Sequence, residues 1–195
     1  QIRPHKDKLG LLLWCCPGAE GFNDAFEQLY LENRDIVKGL KVHPGISGVA
    51  FDDDRMIPYL EMARKYDLPV LTHTADDPCS KISCVCNMAE KFPDVKIILG
   101  HLCLGALKDE SFDAMEKYPN LYGDTAWVTM NFTADGCNRG LEDKILFGTD
   151  GPIGNIHTCG NEKFYGPYHR GEVLSKEAWE KVMFRNAIGL FKLDL

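Results

Sequence analysis

Lys96-Ile97-Ile98-Leu99-Gly100-His101 is a run of β-forming residues that ends in a side chain able to bind metal. Three other runs share its form: Gly39-Leu40-Lys41-Val42-His43-Pro44, Pro69-Val70-Leu71-Thr72-His73-Thr74 and Lys144-Ile145-Leu146-Phe147-Gly148-Thr149-Asp150. In each, the polar group sits at the carboxyl end, and a Gly, Pro or polar segment follows. In a parallel α/β sheet that end is where ligands bind.

The segments between these runs read as helices. Asn23 is placed to cap a helix in which Phe22, Ala25, Phe26, Leu29 and Tyr30 recur at helical spacing. Asp53 or Asp54 is placed to cap another, striped by Met56, Tyr59, Leu60, Ala63 and Tyr66, with Pro58 in its first turn. Further helices are expected to end near Phe92, to run over about 107–118, and to run from Ser175, the N-cap, to Phe191, with Trp179, Val182, Met183 and Asn186 on one face. Additional strands are expected over 9–17 and 121–129. Lys41 and His73 lie 32 positions apart and His73 and His101 lie 28 apart, each about one βαβ unit. His101 and Asp150 lie 49 apart, room for two units with the 121–129 strand between them. Alternating strands and helices imply right-handed βαβ units and a parallel sheet in one domain, 1–195. A doubly wound sheet would show a Gly-rich phosphate loop, and none is present; a barrel collects polar strand ends around one centre, as here.

Composition narrows the function. The net charge of -7 argues against nucleic-acid and anionic-membrane partners. No apolar run approaches the roughly 20 residues that span a bilayer. The eight cysteines include Cys15, Cys16 and Cys103 in or beside apolar strands, which suits reduced thiols in a cytoplasmic protein. Cys79, Cys84 and Cys86 match no familiar zinc spacing.

His73, His101 and Asp150 at three strand ends make a plausible site for zinc or a similar divalent metal, manganese included. Such a site holds water and lowers its pKa, and Asp150 could bind the metal, orient the water or take its proton. Lys41 and His43 share one strand face. Lys41 could pair with a carboxylate, bind an acidic substrate or become a metal-bridging carbamate. The stretch 151–171 reads as a long loop carrying His157, Cys159, Phe164, Tyr165, Tyr168, His169 and Arg170. Aromatics and Arg170 suit a small organic acid, although an Ω-loop packed on its own aromatics is the alternative.

In order, GLKVHP (39–44), LPVLTHTA (68–75), VKIILGHL (95–102), LYGDTAW (121–127), ILFGTDGP (145–152) and RNAIGLFKL (185–193) resemble the amidohydrolase superfamily, amidohydrolase-2 branch. The resemblance implies a (β/α)8 TIM barrel with divalent metal at the strand carboxyl ends. His73 and His101 resemble its strand-5 and strand-6 histidines. Asp150 resembles its strand-8 aspartate, ligand and general base, and Lys41 stands where some relatives carry a carbamylated lysine. It further implies a hydrolase, or a non-oxidative decarboxylase, acting on cyclic or carboxylated small molecules.

The family's opening His-x-His strand has no counterpart here. Six strands, corresponding to strands 3–8, make the expected barrel incomplete, since a full one takes about 250 residues. The chain is then the carboxyl-terminal part of a longer enzyme, a natural short homologue with an incomplete or repurposed site, or one of two chains that together complete a barrel or cover its open edges; a catalytically incomplete fragment acting as a binding or assembly module is the alternative function. Open edges predict a homo-oligomer.

Overall fold

Six strands form one parallel sheet in chain order: β1 (Leu11–Trp14), β2 (Val37–Val42), β3 (Val70–Ala75), β4 (Ile97–Leu104), β5 (Leu121–Asp124) and β6 (Ile145–Leu146). The computed structural model describes residues 2–19, 21–105, 108–153 and 162–193. Among them lie α1 (Asp24–Asn33), α2 (Pro44–Ser47), α3 (Ile57–Tyr66), α4 (Ile82–Lys91), α5 (Lys108–Lys117), α6 (Met130–Asn138), α7 (Glu162–Arg170), α8 (Lys176–Glu180) and α9 (Asn186–Phe191). Every neighbouring strand pair is parallel, with β1 and β6 at the two edges, so the architecture is a partial barrel rather than a closed one.

The expected caps form. Asn23 Oδ1 accepts from the Phe26 amide at 3.1 Å, and Ser175 Oγ from the Ala178 amide at 3.1 Å. Asp53 caps a 3-10 turn, Asp54–Met56, that leads into α3. A π-helical stretch, Lys181–Arg185, joins α8 to α9.

Two expectations are corrected, and one segment gains an element. The strand expected over 121–129 stops at Asp124, because the chain turns there and Trp127 takes a left-handed φ of 61°. The segment before β6, unassigned from sequence, is helix α6, capped by Thr129. The stretch 151–171 is not all loop, since α7 occupies its second half. Pro167 inside α7 hides its helical spacing, which lies in Tyr165 and Tyr168, both fully buried against Met130 and Phe147. His157 and Cys159 lie outside the described residues, as does the side chain of Phe164.

Strand alternation splits the sheet into two faces. Leu13, Leu40, Val70, Ile97 and Leu121 stand in register on the outer face and are all buried within the main core. Trp14, Lys41, Leu71, Ile98 and Tyr122 stand in register on the inner face, which turns toward the barrel axis. That face is covered in part by α9, whose Ala187, Leu190 and Phe191 pack on Leu71, Ile98, Tyr122 and Leu146. Asn186 pins α9 by donating from Nδ2 to the Glu142 and Ile145 carbonyls at 2.7 Å each. Trp14, near the β1 edge, remains 46% exposed.

The described cysteines are all free thiols. No helix among the described residues is long and apolar enough to cross a membrane.

The turn after α7 carries an avoidable cost. Val173 is 67% exposed and has a φ of 69°. A β-branched side chain is poorly tolerated there. Val173→Gly is expected to stabilise the fold by about 1 kcal/mol, the relief of left-handed strain less the added freedom of the unfolded chain. Thermal unfolding checks this, and a lowered melting temperature counts against it.

Candidate metal and substrate site

The polar strand ends meet at the carboxyl end of the sheet. The His43 and His73 rings stack with centroids 3.9 Å apart and an interplanar angle of 11°. His101 meets His73 edge-on at 4.9 Å. Beside them lies a cavity of about 260 Å3, lined on its polar side by Lys41, His101, Asp124 and Asp150. Its apolar wall includes Leu71, Ile98 and Phe147 and is closed by Ala187 and Phe191 of α9. Larger surface depressions lie elsewhere, such as one between α1 and α3, but they gather none of these groups.

The hydrogen bonds fix what each imidazole offers. His101 is 5% exposed, and its Nδ1 donates to the Ala126 carbonyl at 3.2 Å. Its Nε2 therefore keeps a lone pair, the arrangement a metal-binding histidine needs. His43 is the reverse: its Nδ1 accepts from the Ile46 amide at 3.2 Å, which leaves an N–H at Nε2. His43 thus presents a donor, suited to an oxygen of a bound molecule and not to a metal. Burial lowers the His73 pKa to about 4, with the neighbouring His43, His101 and Lys41 acting in the same direction. Burial lowers that of His43 too, helped by Lys41. A neutral His73 has its lone pair available at neutral pH.

The carboxylates differ. Asp150 is exposed, has a φ of 56°, and its Oδ2 accepts from the Trp127 indole N–H at 3.0 Å. Asp124 Oδ1 accepts from the His101 and Ala126 amides, both at 2.9 Å. Burial pushes the Asp124 carboxyl upward against the opposing pull of His101, of these two amides and of Lys41. Burial lowers the Lys41 ammonium, and Asp124 and Asp150 oppose it. Neither carboxylate comes within ion-pair distance of Lys41 among the described residues.

The structure thus brings together His73 and His101 by ring contact, and His101, Asp150 and Lys41 around one cavity, with His43 against His73. Arg170 lies elsewhere: it is exposed at the end of α7, where its Nε pairs with Glu172 at 2.6 Å, and it is not among the cavity residues. Asp124 and Trp127 are missing from the sequence-derived set. The LYGDTAW stretch was the available signal, but assigning it wholly to a strand hides the turn that brings both residues to the site.

Two imidazole nitrogens and a carboxylate suit a divalent metal by donor type. Among the described residues, however, no three His, Cys, Asp or Glu side chains are close enough together to hold one.

The titrations make one prediction for the metal-free protein. The folded-state pKa of His73, about 4, lies below its ordinary value of 6.5. Between these values the unfolded chain binds a proton that the folded chain does not, so stability rises with pH across that window. It is fully present above about 6.5 and is lost as pH falls toward 4, and His43 adds in the same sense. Urea unfolding at several pH values should show this slope. An equal slope in His73→Gln would show that His73 is not its source.

The chain resembles solved TIM-barrel proteins. Over 98% of its length it superposes, at a TM-score of 0.78 and 20% identity, on 69% of an uncharacterised TIM-barrel protein from Bordetella bronchiseptica. A probable 2-pyrone-4,6-dicarboxylic acid hydrolase from Acinetobacter baumannii, with citric acid bound, matches at a TM-score of 0.71 and 13% identity, covering 98% of this chain and 76% of that one. A dihydroxybenzoic acid decarboxylase from a Polaromonas species, with manganese and 2-nitroresorcinol bound, matches at 0.58 and 20%, covering 87% and 65%. No curated protein matches. The amidohydrolase family model, of the amidohydrolase-2 type, matches residues 5–193, and with nearly the whole chain inside that match the protein belongs to the amidohydrolase family.

Proposed function

We propose that this chain is a metal-dependent enzyme domain, spanning 1–195, that hydrolyses or decarboxylates a small cyclic, carboxylated molecule. The observation that carries the reading is the convergence of His73, His101, Asp150 and Lys41 on the carboxyl end of the sheet, around or beside one cavity. His73, His101 and Asp150 would lend donors to a divalent metal, zinc or manganese, which supplies Lewis acidity toward water or a substrate oxygen; as they stand they are not gathered closely enough to hold it by themselves, so binding requires them to draw together or a further donor to join them. Lys41 and the His43 N–H anchor the acidic group of the substrate. The apolar wall of Leu71, Ile98 and Phe147 takes the ring and excludes water around it. Asp150 moves the proton, either from the attacking water in hydrolysis or to the ring carbon that loses carbon dioxide in decarboxylation. Trp127 orients it through the indole N–H.

The solved relatives support both chemistries, since one is named as a hydrolase and another as a decarboxylase. Product analysis with protein loaded with zinc or manganese separates them, as carbon dioxide marks decarboxylation and a ring-opened acid marks hydrolysis. Neither product from any carboxylated ring compound, together with no measurable affinity for either metal, would favour a binding or assembly module instead.

We further infer self-association. Among the described residues no strand pairs with the outer edge of β1 or β6, and Leu9, Trp14 and Leu29 near β1 are each more than 40% exposed. Sedimentation is expected to show a dimer or larger species, and a monomer that binds no apolar dye would refute it.

A further inference from the structure

His101 stands on the wrong side of its strand for the role it plays. In β4, Ile98 and Gly100 face inward, Gly100 pairing with His73, and Leu99 faces the helices. Regular alternation would therefore send the next side chain, His101, outward into the helix layer. It faces the cavity instead, because His101, Leu102 and Cys103 take three successive left-handed conformations, with φ of 68°, 44° and 65°. The pairing records the same event. His73 pairs with Gly100, but Ala75, two residues on, pairs with Leu104, four residues on, so β4 bulges by two residues.

Left-handed backbone costs roughly 1–2 kcal/mol per non-glycine residue. Such strain persists only where surrounding bonds over-determine it, and bulges beside active sites re-aim side chains. Here the bonds are specific. Thr74 Oγ1 donates to the Gly100 carbonyl at 2.7 Å and accepts from the Cys103 amide at 3.0 Å. Ser111 Oγ donates to the Leu102 carbonyl at 3.2 Å. Leu102 packs over Gly123, where an added Cβ would come within 2.1 Å of it. Asp124 holds the bulge where it begins. Its Oδ1 accepts from the His101 amide and from the Ala126 amide, and the Ala126 carbonyl receives the His101 ring N–H. One carboxylate oxygen thus fixes both ends of the bond that orients the imidazole.

We propose that Asp124 is the positioning residue of the site, and that its Oδ1 clamps the left-handed bulge that carries the His101 imidazole from the helix-covered face of the sheet to the cavity. This rests on the reading of His101 as a metal ligand, but the clamp itself is testable without metal. In metal-free wild type, 15N-resolved NMR of the imidazoles should show His101 as the Nδ1–H tautomer, and the His101 and Ala126 amides should be protected from exchange. Asp124→Ala is expected to speed exchange at both amides about 10-fold or more and to mix the tautomers. It should also weaken zinc or manganese binding by about 10- to 100-fold, as loss of an orienting partner does. Asp124→Asn keeps an acceptor oxygen at the same place and is expected to retain the wild-type tautomer and protection. Wild-type exchange and tautomer in Asp124→Ala would overturn the proposal. So would an Asp124→Asn protein that folds but loses amide protection, which holds even if Asp124→Ala does not fold. If wild type binds neither metal while the NMR results hold, the functional reading fails and the clamp stands.

Discussion

His101→Ala is expected to weaken zinc or manganese binding by more than about 100-fold, beyond the about 10- to 100-fold that loss of an orienting group costs. It should bring turnover to background. The reason is geometric. His101 is the most buried of the three strand-end histidines, its ring is oriented by the Ala126 carbonyl, and only its Nε2 lone pair is left to serve a metal. The neighbouring His43 does not replace that nitrogen, because its lone pair at Nδ1 is taken by the Ile46 amide. Titration calorimetry with each metal reads the effect. Affinity within threefold of wild type would remove His101 from the ligand set, and with it most of the support for the proposed chemistry. Fold stability is a necessary control, since the ring also fills space against His73.

Leu99→Ala should have the largest effect on stability. Leu99 lies in β4, paired with Thr72 on one side and Gly123 on the other, and its side chain is fully buried in the main core. Truncating a leucine in such a place costs about 2–5 kcal/mol, the lost transfer energy plus the cavity left behind. The surroundings cannot close that cavity, because β4 is held on both sides by neighbouring strands. For a domain of this size the melting temperature should fall by on the order of 10 °C. Leu29→Ala is the matched control: Leu29 is 47% exposed on α1, and its truncation should cost far less. Equal shifts for the two would mean that the outer layer is not packed as described. Because Leu99 points away from the cavity, protein that remains folded should keep wild-type metal affinity.

The helices and strands with unbroken periodicity were legible in the sequence. The strands that carry Lys41, His73 and His101 lie where their apolar runs place them, and Asn23 and Ser175 cap the helices that follow them. Local pattern departs from the fold where its signal is interrupted. Pro167 masked α7, and the β5 run lost its strand geometry at Asp124 although apolar residues continue beyond it.

Periodicity also fails at the site itself. The parallel order of the strands and the residue types at their carboxyl ends follow from local pattern, because hydrophobic period and end position are local properties of the chain. Simple alternation would have pointed His101 outward. Long-range contacts turn it inward, through three left-handed residues held by Thr74, Ser111 and Asp124 from other elements. Contacts within the fold also make α9 close the apolar wall of the cavity, pair Arg170 with Glu172, and leave His43 with a proton to offer where His101 offers a lone pair. The inward turn of His101 and the closure by α9 depend on contacts between residues far apart in sequence, and no local pattern encodes them.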